Sequence, residues 1–257
     1  MFEDTITDII KKAREGLGLS LRTLADQTGI PVSEIQKIEE GKTPPKEKLL
    51  DALGLSPFKF DSVRKNAFMP AKIPEIIKKN LRLKTLEIST GGIVSNAYIL
   101  IHEHYALLVD SVGASENDVH FLSNEGFEPL FLLITHGHFD HIGGIERVQA
   151  SYPNIRIIHG GKDVPCDTRY ETDGFSIDAI RTPGHTEDSV SYFVNDAIAF
   201  VGDTIFARSI GRPNYSLESL LKNIREKIFI LNDSVILAPG HGPLTTVGEE
   251  KKYNPFF

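Results

Sequence analysis

Apolar residues recur at helical spacing over the first 55 residues, and beyond Lys84 that spacing gives way to short β-runs separated by turns. Ile6, Ile9, Ile10 and Ala13 form one helical stripe, closed by Gly16 and Gly18. Ser20 caps a second helix in which Leu21, Leu24 and Ala25 face inward. Gly29-Ile30-Pro31 turns the chain into a third helix, Pro31 to Glu40, which carries Ile35 and Ile38 and stops at Gly41. A fourth helix, Lys46 to Leu53, follows Pro44-Pro45. Expected strands are Leu86–Thr90, Asn96–Ile101, Tyr105–Asp110, Leu130–Thr135, Ile155–Ile158, Phe175–Thr182 and Val235–Ala238. Asn195-Asp196 turns a hairpin between Val190–Val194 and Ile198–Val201. Helices are expected at Glu116–Asn124, Ile142–Ser151 and Leu217–Phe229. Strands alternating with helices predict a mixed α/β architecture after a small all-α block.

Charge separates the chain further. Residues 1–58 carry 8 Lys/Arg against 10 Asp/Glu, residues 59–84 carry 8 against 2, and residues 85–257 carry 12 against 23. The basic stretch contains Pro70 and Pro74 and reads as a linker over 59–83, with a short helix near Glu75 to Asn80. Phe58, Phe60 and Phe68 in and beside it predict that it packs onto something. The domains expected are therefore 1–58, the linker 59–83, and 84–257. No apolar run exceeds five residues, Leu130 to Ile134 being one, whereas a spanning helix needs about 20. The start of the chain has neither a basic nor an apolar leader segment, and the single Cys166 has no internal partner. These features predict a cytoplasmic protein with no membrane contact.

Chemistry concentrates at the ends of the expected strands. Thr135-His136-Gly-His138-Phe-Asp140-His141 follows an apolar strand and puts four metal-competent side chains within six residues. Pro183-Gly184-His185, Gly202-Asp203 and Pro239-Gly240-His241-Gly242-Pro243 each add one His or Asp at a strand end. Imidazoles sharing carboxylates suit zinc, iron(II) or manganese and not calcium. Asp110, ending its strand, is expected either to orient a ligand or to form a turn. Arg208 and Arg212 are candidates for meeting a substrate carboxylate. His102 and His104 flank a turn and are expected in solvent, and His159 follows a strand that could border the pocket.

Two resemblances follow. Ser20-Leu-Arg-Thr-Leu-Ala25-Asp-Gln-Thr-Gly29-Ile and Ile35-Gln-Lys-Ile38-Glu-Glu-Gly41 resemble the Cro/C1 repressor family, which implies a helix-turn-helix. Its recognition helix would be Pro31 to Glu40, net −2, with Leu21 where a polar, DNA-facing residue is expected. Cations dominate DNA affinity, so binding to DNA is expected to be weak. The block is expected instead to dimerise the chain or to cover the metal cleft, held by the basic linker against the acidic domain. Residues 84–257 are similar to the metallo-β-lactamase superfamily through the H-x-H-x-D-H pattern at His136 to His141. That resemblance implies an αββα sandwich with two divalent ions. His136, His138 and His185 would hold the first, Asp140, His141 and His241 the second, and Asp203 would bridge them.

Within that superfamily, Pro183-Gly-His-Thr-Glu-Asp-Ser189, Gly202-Asp-Thr-Ile-Phe206 and Gly240-His-Gly-Pro243 with Asn254-Pro-Phe256 resemble glyoxalase II-like hydrolases. The implied reaction is attack of a metal-bridging hydroxide on a small thioester or related ester, with Asp140 binding metal and orienting the nucleophile. The helical C-terminal extension that binds glutathione in large glyoxalase II enzymes is missing, which implies weak turnover of the glutathione thioester. Two other readings stay open: a mononuclear-iron sulfur (persulfide) dioxygenase, and a ligand sensor with DNA output.

Overall fold

A computed structural model defines residues 2–65, 76–77, 80–112, 115–161 and 163–257. Five helices come first: α1 (Ile6–Gly16), α2 (Leu21–Thr28), α3 (Val32–Glu39), α4 (Glu47–Ala52) and α5 (Pro57–Arg64). Thr5 caps α1 through the Asp8 amide, Ser20 caps α2 through the Thr23 amide, and Gly29 ends α2 at φ 65°. Arg14 on α1 grips Glu39 on α3 with two bonds, 2.5 and 3.1 Å long. The helix α5 was not expected. Pro57 sits in its first turn, where the missing N–H costs nothing. The expected linker is thus helical over residues 59–64.

Two six-stranded sheets follow. The first runs β1 (Ile76–Ile77), β2 (Leu81–Thr90), β3 (Ile93–His102), β4 (Tyr105–Val109), β5 (Glu128–Ile134), β6 (Arg156–His159) in spatial order. The short helix expected near Glu75 to Asn80 is corrected: Ile76 and Ile77 pair antiparallel with Arg82 and Leu81. Residues 66–75 and 78–79, with Phe68, Pro70 and Pro74, lie outside the described residues. The second sheet contains β7 (Thr168–Thr172), β8 (Phe175–Arg181), β9 (Val190–Val194), β10 (Ile198–Gly202), β13 (Ile236–Pro239) and β14 (Thr245–Thr246). A small hairpin, β11 (Ile205–Phe206) and β12 (Ser209–Ile210), lies apart from both. The remaining helices are α6 (Glu116–Glu125), α7 (Phe139–Ile142), α8 (Ile145–Ser151), α9 (Leu217–Asn223) and α10 (Val247–Tyr253). The continuous helix expected over Leu217–Phe229 is instead α9 followed by one π-helical turn, Ile224–Ile228.

The two-residue period of the strands sorts the core into layers. Tyr98, Leu100, Leu107, Val109, Phe131 and Leu133 face the second sheet, meeting Phe175, Ile177, Tyr192, Ile198 and Phe200. Their neighbours Ala97, Ile99, Ile101, Ala106, Leu108, Leu132 and Ile134 face outward, under Leu122 of α6 and Val148 of α8. On the far side, Ala199, Val201 and Leu237 share one core with Ile224 and Val247, and also with Ile9, Ile10, Leu24, Ile35, Ile38 and Phe60. The result is an αββα sandwich whose second outer layer includes the N-terminal helices.

The N-terminal helices dock directly on the second sheet's side of the sandwich, and the described part of the basic stretch adds to that contact. Lys12 donates to Ile210 O at 2.8 Å, Ser209 Oγ donates to Asp4 at 2.5 Å, and Ser56 N–H donates to Pro255 O at 2.8 Å. A Cβ on Gly16 of α1 would lie 2.7 Å from Pro213 and 3.0 Å from Leu217. Of the basic stretch, Lys59 bonds Lys251 O and Phe257 O at 2.9 and 2.6 Å. Phe60 is buried while Phe58 is exposed. No described helix is long and apolar enough to cross a membrane.

Candidate metal centre

Four strands deliver the site at their carboxyl ends. β5 leads into Thr135-His136-Gly137-His138 and then α7, which carries Asp140 and His141. β8 leads to His185, β10 to Asp203, and β13 to His241. In the second sheet β9 is antiparallel to both β8 and β10, and β10 is parallel to β13, so β8, β10 and β13 end on the same edge. The sheets are stitched there by Asn96, whose side-chain amide donates to Pro239 O and Gly242 O, and by Tyr98 and Tyr192, which donate to Pro239 O and Ile134 O. The loops therefore meet on a rigid base.

All seven predicted ligands come together, six of them buried and His138 half-buried. His136, His138, His185 and Asp203 place one donor each within 4.8 Å of one another, and Asp140, His141 and His241 do the same. His136 Nε2 and His185 Nε2 each approach His138 Nδ1 to 3.0 Å. Asp203 reaches into both groups, 3.4 Å from His185 Nε2, 3.5 Å from His241 Nε2 and 3.6 Å from His141 Nε2. Asp140 Oδ2 lies 3.4 Å from His241 Nε2 and 3.5 Å from His141 Nε2. Donors about 2.1 Å from a tetrahedral ion stand roughly 3.4 Å apart, close to the carboxylate–imidazole distances of 3.4, 3.5 and 3.6 Å found here.

The outer nitrogens explain why the inner ones converge. His141 Nδ1 donates to Asp110 Oδ2 at 3.0 Å, His185 Nδ1 to Arg212 O at 2.7 Å and His241 Nδ1 to Val94 O at 2.7 Å. Asp110 also accepts from the Thr135 amide and hydroxyl, and that hydroxyl faces His136 Nδ1 at 3.1 Å. Asp110, at φ 61°, is thus both the turn-former and the orienting residue. These bonds fix tautomers with Nε2 free and pointing inward.

Within the centre, two buried atoms are left without a hydrogen-bond partner, His141 Nε2 and Asp203 Oδ1, and they face each other at 3.6 Å. With His141 Nδ1–H committed to Asp110, both present lone pairs, and a cation or a proton must lie between them. Electrostatics gives the same answer. Burial opposes charge on His141, but Asp110, Asp203 and Asp140 outweigh it and raise the imidazole to about 9. Burial likewise opposes charge on His241, and Asp140 and Asp203 raise it to about 9. Burial favours protonated Asp203, yet the imidazoles of His141, His136, His241 and His185 hold it well below the usual carboxylate range. His136 is driven well below its ordinary value, chiefly by burial. Carboxylates that attract positive charge, ringed by imidazoles, suit divalent ions.

The centre opens into a cleft of about 460 Å³ walled by Ile93, Phe139, Phe206 and Arg212, and also by Glu3, Asp4 and Lys12 from the N-terminal segment. Those last three residues had no functional signal in the sequence. Arg208 is corrected as a substrate-binding candidate: it is 1% exposed, and its guanidinium bonds Glu250 and Glu249 at 2.5 and 2.7 Å. Arg212 lines the cleft but pairs with Glu15 at 3.0 Å, and its contribution to the centre is its carbonyl on His185. His102 lies edge-on to Phe175, half-buried, and His104 is exposed. His159 is outside the cleft lining, with Nδ1 on Gly160 O.

Residues 90–180 match the family model described as metallo-beta-lactamase superfamily, and residues 10–57 match one described as helix-turn-helix. The chain is 33% identical over 205 residues to the "Probable metallo-hydrolase YqgX" of Bacillus subtilis (strain 168), covering 68% of this chain and 97% of that one. It is 28% identical to the hydroxyacylglutathione hydrolase GloC of Haemophilus influenzae, covering 60% and 88%. It is 30% identical to the mitochondrial persulfide dioxygenase ETHE1 of Bos taurus, covering 58% and 65%. Among solved structures, the BLEG-1 B3 metallo-beta-lactamase matches with a TM-score of 0.62 and 32% identity over 68% of this chain and 98% of that one.

Proposed function

The chain belongs to the metallo-β-lactamase superfamily, and on that premise we propose that it is a two-metal hydrolase of thioesters or related esters. His136, His138 and His185 hold one ion in this reading, Asp140, His141 and His241 the other, and Asp203 serves both. Zinc is the first candidate, although imidazole and carboxylate donors also suit iron(II) and manganese. Such ions, when bound, bring the pKa of water to about 7 and polarise an acyl carbonyl.

The protein's own part is positioning. Ser95 and Ser111 donate to the Asp140 carbonyl, fixing a carboxylate that orients the attacking water and takes its proton. Phe139, Phe206 and Ile93 give the acyl chain an apolar wall. The observation that carries the two-metal reading is the completeness of both donor groups, with the orphaned His141 Nε2 and Asp203 Oδ1 between them. The thioester is argued from likeness to GloC, a hydroxyacylglutathione hydrolase by name.

Likeness to a persulfide dioxygenase supports a second reading, a single iron and oxygen chemistry. Metal analysis of full-length protein purified without added metal, followed by assays on S-lactoylglutathione, other acyl thioesters, lactones and a persulfide, separates the two. Two ions per chain and metal-dependent thioester cleavage are expected. One tightly held iron with oxygen uptake on persulfide would replace this reading with the second.

A further inference from the structure

The mouth of the metal cleft is built partly by the N-terminal segment, and its charges are unequal. Four ionisable side chains line the cleft besides the donor residues: Glu3, Asp4, Lys12 and Arg212. Three of them are spoken for. Lys12 is buried, bonded to Asp4 at 2.5 Å and to Ile210 O at 2.8 Å, with its ammonium 4.9 Å from the Phe206 ring centre. Asp4 accepts from Ser209 as well. Arg212 points to Glu15. Glu3 alone has no ion-pair partner among the described residues. It sits against the loop of His241, since a Cβ on Gly242 would lie 3.1 Å from both Glu3 N and Glu3 Cβ. The segment is anchored immediately after this contact, by Asp4 to Lys12 and Ser209 and by the Thr5 cap of α1.

We infer that Glu3 is a specificity-determining residue, which makes the cleft select substrates whose outward-facing part is neutral or cationic and disfavour those that carry a carboxylate there. The inference rests on the metal-centre reading and names its substrate class. A wall of apolar groups and ion-paired side chains contributes no charge preference, whereas one exposed carboxylate without an ion-pair partner at the mouth does. A helix-turn-helix block thereby supplies a substrate filter to a domain it precedes in the chain. Acyl thioesters with an ammonium or hydroxyl tail fit this mouth better than the conjugate of a tripeptide with two carboxylates.

The test needs no turnover. Three small thiols, cysteamine, mercaptoethanol and mercaptopropionate, carry ammonium, hydroxyl and carboxylate tails and are probes for a zinc centre through sulfur. Their dissociation constants are measured by calorimetry on zinc-loaded full-length wild type, Glu3→Gln and Glu3→Lys, each checked for equal zinc content. Comparing proteins probe by probe cancels differences in thiol basicity. Glu3→Gln is expected to tighten mercaptopropionate and weaken cysteamine by about three- to tenfold each, the size of one partly screened charge interaction. Mercaptoethanol should stay within about twofold, since it has no charge for Coulomb's law to act on. Glu3→Lys should exaggerate both shifts, and added salt should shrink them. Equal changes for all three thiols, or none, would overturn the inference while leaving the metal centre standing. Failure of every thiol to bind the zinc-loaded wild type would sink the metal-centre reading and the inference with it.

Discussion

Asp110 ties one loop of the metal centre together from behind, accepting from the Thr135 amide, the Thr135 hydroxyl and His141 Nδ1. Asp110→Ala should therefore lower metal affinity about 10–100-fold, the usual cost of losing a partner that orients a ligand. Competition with a chromophoric chelator reads this. Asp203→Asn should go further and lower the number of ions retained, because a neutral amide cannot offset two divalent charges, while His102→Ala should do neither. Full metal content in Asp203→Asn protein would refute the ligand set. The two arginines make a second contrast. Arg208→Ala strips the partner from a buried Glu250 and should cost about 3–5 kcal/mol in urea unfolding, whereas Arg212→Ala removes an exposed pair and should cost under about 1 kcal/mol. Equal stabilities would show that the Arg208 network carries no weight. His136, His185, Asp203 and His241 were legible because each lies between small residues at a strand end, and His138, Asp140 and His141 because they crowd in behind His136. Arg208 was misread because an arginine reads alike in a cleft and in a core. The carbonyls of Val94 and Arg212, which aim two of the histidines, belong to every residue type and leave no trace in a sequence.

Elements place those residues through loops with no room to spare. Gly211 follows β12 beside the Asp203 loop, and a Cβ there would lie 1.7 Å from Asp203 O. Gly211→Ala should displace that loop and lower both metal content and melting temperature. Gly18→Ala meets nothing within 4 Å, though its φ of 67° adds strain, so it should cost about 1 kcal/mol and no metal. Metal content of Gly211→Ala equal to wild type would disprove this. Strands were legible to within a few residues because those buried on both faces, such as Tyr105–Val109 and Ile198–Gly202, read as short continuous apolar runs bounded by turn residues. Among the elements missed, three have clear local reasons. A short strand such as Thr168–Thr172 at a sheet edge is half-exposed and has no apolar face. α5 lay under a run of charge that read as linker. α10 has few apolar positions, but it had a usable signal in Thr246, whose hydroxyl caps the helix through the Glu249 amide three residues on.

At the scale of the molecule, the helix-turn-helix block shares a core with the second sheet, and the two should melt together. One calorimetric transition is expected, with calorimetric and van't Hoff enthalpies equal; two resolved transitions would contradict the shared core. Removal of residues 1–58 strips one side from that shared core, so the truncated chain should be insoluble. Docking leaves Ser33, Gln36, Lys37 and Glu40 of the recognition-helix face exposed, with one cation against one acid. Duplex DNA binding should accordingly be weak and largely lost between about 50 and 200 mM salt; footprinting of a palindrome at nanomolar protein would refute that. The bonds from Ser56 to Pro255 and from Lys59 to Phe257 also set a timetable for biosynthesis. The first helices leave the ribosome about 190 residues before the strands and terminal helix that cover them, a wait of roughly 10–40 s at about 5–20 residues per second. A ribosome stalled before Pro255, or a clip there, would thus be felt first at α5, about 200 residues upstream.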